Sequence, residues 1–239
     1  MLEGMIIMCD AVVRWAHRYA DLAEKMAAEE TRPQRKEELL RIASNCRWVP
    51  ENPPRDYWEA LQSARFMHAA SQKEKTMRKE TALNRMDTDL YPYYIKDKKE
   101  GKITPEFAIE LFNCFLMKTR EVEAWDMESK AMRHSQDTLL PDITICGLDE
   151  EGNDMTNEVS AIILRAMATM KFSEPTIYIR VHDKMSTDFL KFALKCNMEH
   201  RGGCPAYLND KLGTERFLEY GVPLEECVKW QTSDRKSVV

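Results

Sequence analysis

Apolar residues return every three or four positions from the start of the chain, at Met5, Cys9, Val12, Ala16, Tyr19, Ala23 and Met26. That is the spacing of one helix face. No capping residue precedes the run, so Met1 reads as an internal methionine of a longer chain. Pro33 stands where a first helical turn begins, and Gln34 to Cys46 continue with strong helix formers. Val49-Pro50-Glu51-Asn52-Pro53-Pro54 follows as a stiff, extended connector. Asp56 and Glu59 make an Asp-x-x-Glu version of the capping box ahead of Leu61, Ala64, Phe66 and Met67. Thr104-Pro105 supplies an N-cap and then proline at the first helical position, before Phe107, Ile109, Leu111, Phe112 and Phe115. Ser71 to Glu80 and Glu128 to Asp137 are polar with little period; the first reads as a loop or a solvated helix end.

Strand signals appear only in the second half. Ile143-Thr144-Ile145-Cys146-Gly147 and Thr176-Ile177-Tyr178-Ile179-Arg180-Val181 are short and rich in β-branched and aromatic residues, and Pro205-Ala206-Tyr207-Leu208-Asn209 offers a third strand. Helices are expected from about Thr156 to Met170, from Thr187 behind Ser186 to His200 with a stop at Gly202-Gly203, and from Leu212 to Tyr220. Strand and helix alternating in this way predict an incomplete parallel sheet of residues 143–147, 176–181 and 205–210 with crossover helices outside. Pro223-Leu224-Glu225-Glu226 opens one more helix, which dissolves into the polar run Thr232 to Val239. The fold class is α/β, mostly helical, and both ends suggest a fragment.

Composition narrows the function classes. Of 239 residues 44% are apolar and 31% charged, which excludes a disordered chain. The net charge of -5 comes from 35 basic and 40 acidic residues mixed along the sequence, so no basic face for nucleic acid exists. Eight glycines without a GxGxxG or GxxxxGK pattern leave no nucleotide cradle. No apolar run approaches the ~18 residues of a membrane span. The seven cysteines include no CxxC pair, which excludes a zinc ribbon and a redox pair, and no metal site is expected. Without a signal peptide they read as reduced thiols of a cytoplasmic protein.

Candidate chemistry is sparse. His182-Asp183 follows the second strand, where sites of parallel α/β proteins collect, although a surface histidine is the plainer reading. Cys204-Pro205 beside Asn209-Asp210 could offer a thiol or simply pack. Tyr91-Pro92-Tyr93-Tyr94 with Trp125 is either a pocket lining or a core corner. Asp87 and Asp89, two apart, diverge on a helix and do not form a carboxylate pair.

Several stretches, in this order, resemble the glycyl radical enzyme family, the pyruvate formate-lyase-like proteins. They are the opening helix Met5 to Ala11 with Tyr19-Ala20 and Ala23-Glu24, Cys46 to Pro50, Pro53 to Gln62, and Arg85-Met86-Asp87-Thr88-Asp89-Leu90-Tyr91-Pro92-Tyr93-Tyr94. Ile143 to Asn157 with Glu158-Val159-Ser160, Glu174-Pro175-Thr176 with Arg180-Val181-His182, and Gly202 to Asp210 complete the set, which covers about residues 1–230. The resemblance implies that residues 1–239 are part of one pyruvate formate-lyase-like domain. A helical layer would occupy about 1–130, partial β/α-barrel strands and helices about 140–230, and residues 231–239 would be a tail outside the pattern. Gly221-Val222-Pro223-Leu224-Glu225-Glu226-Cys227-Val228-Lys229-Trp230 is similar to the run-up to the family's catalytic cysteine. That cysteine would fall near position 235, where this chain carries Arg235; Cys227 comes too early, and the glycyl radical loop has no counterpart. No catalytic residue is therefore assigned, and Arg180, His182 and Asn209 are the substrate-pocket candidates.

For the parent enzyme the resemblance implies anaerobic radical chemistry. A glycyl radical, installed by a partner activating enzyme that uses S-adenosylmethionine and an iron–sulfur cluster, would generate a cysteine thiyl radical in the barrel. The reaction would be that of a lyase, acyltransferase or decarboxylase on a small organic substrate, carried out by a homodimer. The chain alone, with no cofactor bound, is expected to be inactive. The alternative is a non-catalytic helical scaffold or binding module derived from that fold. An open sheet edge beside Ile177, Ile179, Tyr207 and Leu208 is expected to make the isolated chain oligomeric or prone to aggregate.

Overall fold

A computed structural model describes residues 2–74, 83–124, 142–172, 175–201 and 203–232. The chain divides into two compact units, residues 1–74 and 75–239.

In the first unit, α1 (Leu2–Glu29) and α2 (Pro33–Trp48) lie against each other, and α3 (Tyr57–Glu74) packs on both. The buried stripe of α1 is Ala16, Ala20, Ala23 and Ala27, small enough to let helices approach closely, and α2 answers with Leu39, Ala43 and Cys46. Phe66 of α3 meets Trp15 edge-on at 5.6 Å, the favoured aromatic geometry. Asp56 does cap α3, accepting the Glu59 N–H at 2.9 Å. The return bond of the capping box is displaced by one residue, because the buried Glu59 carboxylate accepts the N–H of Arg55 at 2.8 Å. Its guanidinium joins the same carboxylate and stacks 4.4 Å from the Trp48 ring. The polar stretch expected from Ser71 is still helix as far as Glu74.

The second unit runs α4 (Met86–Lys99), α5 (Pro105–Ala124), β1 (Asp142–Cys146), α6 (Glu158–Met170), β2 (Thr176–Val181), α7 (Thr187–His200), β3 (Ala206–Asn209), α8 (Asp210–Glu219) and α9 (Leu224–Cys227). The strands pair in parallel in the order β1-β2-β3, with Ile143 opposite Ile177, Cys146 opposite Arg180 and Arg180 opposite Leu208. Local chemistry sets the boundaries. Thr104 Oγ1 accepts the Phe107 N–H, and Asn157 and Ser160 complete a reciprocal capping box on α6.

Three expectations need correction. α7 ends at His200 as expected, but the residue that stops it is Arg201, left-handed at φ 65°, ahead of Gly202-Gly203. The third strand ends at Asn209, and α8 starts at Asp210 rather than Leu212, because the Asn209 side chain accepts the Leu212 N–H and caps it. Ile177 and Ile179 lie on the central strand, fully buried, not at an open edge. The outer edge of β1 is covered, since Leu83 donates to Asp142 O and Thr144 donates to Asn84 O; β3 is the edge with no strand partner among the described residues. Trp125, the stretch Glu128 to Asp137 and Arg235 lie outside the described residues.

Side chains alternate across a strand, so the register gives the sheet two unlike faces. Ile143, Ile145, Ile177 and Ile179 share one, where Val181 and Tyr207 line a groove with Leu190 and Leu194 of α7. Asp142, Thr144, Cys146, Tyr178 and Arg180 share the other. A strand buried on both sides normally carries apolar residues on both faces, so this polar face needs partners of its own. Residues after α9 supply them: the Thr232 N–H donates to Thr144 Oγ1 at 3.1 Å, and the two hydroxyls lie 3.2 Å apart.

Candidate functional site

Arg180 is the centre of the polar face. It projects from β2 with no exposed surface, and a buried charge persists only when paired and hydrogen-bonded. Its Nε donates to Asp210 Oδ1 at 2.6 Å, with Nη2 2.5 Å from the same oxygen. Nη1 donates to the carbonyls of Val228 and Trp230 at 2.7 and 3.1 Å, and the guanidinium stands 4.6 Å from the Trp230 ring centroid. Burial pulls its pKa below the ordinary arginine value and Arg85 adds to this, while the charge of Asp210 opposes both. Asp210, in the first turn of α8, also accepts the Leu148 N–H at 2.9 Å, tying β2 to the loop after β1. Gly147 in that loop has φ +95°, and a Cβ there would lie 2.7 Å from Arg180 Cζ. Both the turn and the close approach require glycine.

A second buried carboxylate organises the layer behind β1. Asp87 Oδ2 accepts the Cys146 N–H at 2.7 Å and the Ser160 hydroxyl at 2.8 Å, and Oδ1 accepts the Thr88 N–H at 2.8 Å. Burial raises its pKa, against the pull of those bonds and of Arg85. Arg85 donates to Cys146 O and to Val228 O, the latter at 3.4 Å. Two arginines from different elements therefore hold one carbonyl of the segment 228–232. Spacing weighed Asp87 only as a pair with Asp89 and set it aside, while Arg85 was visible only in the stretch Arg85 to Tyr94 and Asp210 only beside Asn209 in the stretch Gly202 to Asp210.

The three pocket candidates are placed differently. Arg180 is buried as described. His182 is not the surface histidine expected: its side chain is 2% exposed, Nε2 lies 3.2 Å from Asp154 Oδ1, and neither ring nitrogen makes a hydrogen bond. Asn209, in register with Val181, lies on the isoleucine face, is exposed and spends its side-chain oxygen on the α8 cap. The groove it lines, about 370 Å³ with Leu190, Leu194 and Tyr207, includes neither Arg180 nor His182.

The buried thiols around this face are not poised as nucleophiles, because the thiolate is the reactive form and burial disfavours it. Cys146 is pushed up by burial and by the nearby Asp87. Cys227 is buried, its Sγ donating to Val222 O at 3.2 Å. Cys204 is likewise buried, its Sγ accepting the Ile177 N–H at 3.4 Å, which is the packing role rather than the reactive one. Among the described residues no cluster of three histidine, cysteine or acidic side chains could hold a metal, and no helix is long and apolar enough to cross a membrane. The chemistry of the polar face is holding: Nε and Nη1 of Arg180 hydrogen-bond to Asp210 and to backbone carbonyls of the segment after α9, while Nη2 pairs with the Asp210 carboxylate by charge without a hydrogen bond.

A parallel sheet with crossover helices defines the class as α/β, mostly helical. The chain belongs to the pyruvate formate lyase-like family of glycyl radical enzymes, and the match runs over residues 1–233. It is 32% identical over 233 residues to the isethionate sulfite-lyase of Oleidesulfovibrio alaskensis, covering 97% of this chain and 28% of that enzyme. It is 34% identical over 228 residues to the trans-4-hydroxy-L-proline dehydratase of Clostridioides difficile, covering 95% and 29%. Among solved structures, the glycerol-bound B12-independent glycerol dehydratase of Clostridium butyricum superposes with a TM-score of 0.86 at 30% identity, covering 95% of this chain and 28% of that one. The chain thus spans a little over a quarter of the length of these relatives, and its mostly helical fold with a three-stranded parallel sheet is a portion of their barrel.

Proposed function

We propose that this chain is the portion of a glycyl radical lyase barrel that carries the run-up to the radical loop. The whole protein would act on a small organic substrate, as a homodimer, after modification by an S-adenosylmethionine-dependent iron–sulfur activating enzyme. One observation carries the reading: residues 228–232 lie on the polar face of the sheet, held by Arg180, Arg85 and Thr144. The relatives named above are a sulfite-lyase and dehydratases, which favours a lyase over an acyltransferase.

The residues present do not fit a thiyl radical at the place the resemblance gives it. Position 235 is arginine, and no cysteine follows Cys227 in this sequence. No catalytic step is derived through that group, and the chain by itself is catalytically silent. The same arginine favours the second reading, a scaffold that kept the barrel portion and lost the chemistry.

The test replaces the stretch of the Clostridioides difficile hydroxyproline dehydratase that matches residues 1–230 with this sequence, leaving that enzyme's own cysteine and glycine loops in place. After anaerobic activation, a folded chimaera with an organic radical signal by electron paramagnetic resonance supports the enzyme reading. A folded chimaera that accepts no radical supports the scaffold. A radical signal on this chain alone would overturn its predicted silence.

A further inference from the structure

We propose that Arg180, Trp230 and Gly213 form a clamp that sets the position of residues 228–232 along β1. The inference rests on the reading of that segment as the run-up to the radical loop, although the geometry under test does not. The layers are in order. The Gly147 backbone lies against the Arg180 guanidinium, the guanidinium stands over the Trp230 ring, and the six-membered part of that ring lies against Gly213 of α8. A Cβ on Gly213 would come within 2.5 Å of Trp230 Cε2, so the indole occupies the space a side chain would take. The indole N–H donates to Thr214 Oγ1 at 3.3 Å, which fixes the ring's rotation as well as its depth.

Each layer has a feature that ordinary packing does not need. Gly213 sits inside α8, where glycine is a poor helix former, and its φ is not in the left-handed region. The close approach of Trp230 accounts for a glycine that the helix itself disfavours. Arg180 is a full charge inside a β-strand, and its Nη1 holds the two carbonyls that flank Lys229, at Val228 and Trp230. Arg85 also reaches Val228 O, at 3.4 Å. Two carbonyls and one ring, held from three elements, fix the segment against sliding, and Thr232 then meets Thr144 in a single register. Arg180 and Gly213 are in this sense positioning residues, since neither reaches position 235.

The readout is amide exchange at Thr232, whose N–H ends on Thr144 Oγ1. It is measured on the whole chain beside the ring environment of Trp230, followed by fluorine-labelled tryptophan. Gly213→Ala is the decisive variant, because alanine strengthens an isolated helix and merely structural reasoning expects no loss. The expected result is at least tenfold faster exchange at Thr232 and a shifted Trp230 signal, with exchange inside α6 and β2 unchanged. Adding Trp230→Phe removes the atoms that the new methyl meets, and the double variant should recover protection beyond the sum of the two single changes. Arg180→Lys keeps a charge beside Asp210 but cannot span both carbonyls, and should match Gly213→Ala rather than the wild type. Unchanged exchange at Thr232 in Gly213→Ala, or strict additivity in the double variant, would overturn the clamp. If the clamp holds while the chimaera accepts no radical, the function reading fails alone; the converse result removes only the clamp.

Discussion

Replacing Asp87 by alanine tests how much of this unit hangs on one buried carboxylate. The change leaves two buried donors, the Cys146 N–H and the Ser160 hydroxyl, without their acceptor, and frees the Thr88 N–H at the half-buried start of α4. A buried donor stripped of its partner costs about 1–3 kcal/mol, so two cost about 2–6 kcal/mol. The loss is offset in part because the carboxylate no longer has to be dehydrated, which is the same burial that raises its pKa. We expect a net loss of about 2–4 kcal/mol, a large share of the 5–15 kcal/mol typical of a folded domain. Asp89→Ala, two residues along the same helix and exposed, should stay within about 0.5 kcal/mol of wild type. Urea unfolding followed by circular dichroism measures both, provided the slope with denaturant is unchanged. Equal midpoints for the two variants would refute the assignment of Asp87 as the organiser.

The same carboxylate gives a sign for pH dependence. Its folded pKa lies above the unfolded value of about 3.9, so the unfolded chain releases this proton first as pH rises. The stability that protonated Asp87 contributes is therefore complete below about pH 3.9 and is lost as pH climbs through the raised folded value. Measured against Asp87→Asn, which does not titrate, the wild-type advantage should fall with rising pH above about 4. An advantage that grows over that range would mean that the hydrogen bonds, not burial, dominate the site.

The remaining expectations are local. Gly147→Ala should lower stability by at least about 2 kcal/mol, combining a non-glycine residue at φ +95° with a methyl driven against Arg180, and thermal melting would reveal a failure of this estimate as a negligible shift. Asn157→Ala removes the α6 cap and should cost about 0.5–2 kcal/mol, with Ser160→Ala costing more because its hydroxyl also serves Asp87. In native thiol titration the exposed Cys9 and Cys114 should react fast, while buried Cys46, raised to about 11, and Cys146 should react only in denaturant; fast native labelling of either buried thiol would contradict the packing.

How far the fold was legible follows from the range of each signal. Helices and strands came from residues within one or two turns of each other, so α1 itself, the cap of α5 and the β-branched runs of β1 and β2 were visible; the buried face of α1 was read only in part, since Ala16 and Ala23 are buried but Met5, Cys9, Tyr19 and Met26 are exposed. The displaced stop of α7 and start of α8 share a cause. Arg201 and Asn209 end or begin elements through conformations that glycine or a longer strand would equally satisfy, and a linear pattern cannot choose between them. His182 read as a surface residue because it stands at the end of a strand; its buried ring instead lies beside Asp154, contributed by the loop after another strand. The site failed to appear for the same reason on a larger scale. Arg180 meets Asp210 and Val228, and Asp87 meets Cys146 and Ser160, across separations that no period encodes. Yet the alternation held one usable clue. In Thr176-Ile177-Tyr178-Ile179-Arg180-Val181 the isoleucines take one face, and a threonine, a tyrosine and an arginine take the other. A central strand has no solvent face on which to leave an arginine, so a partner segment with acceptors had to cover it, and the carbonyls of Val228 and Trp230 meet that requirement.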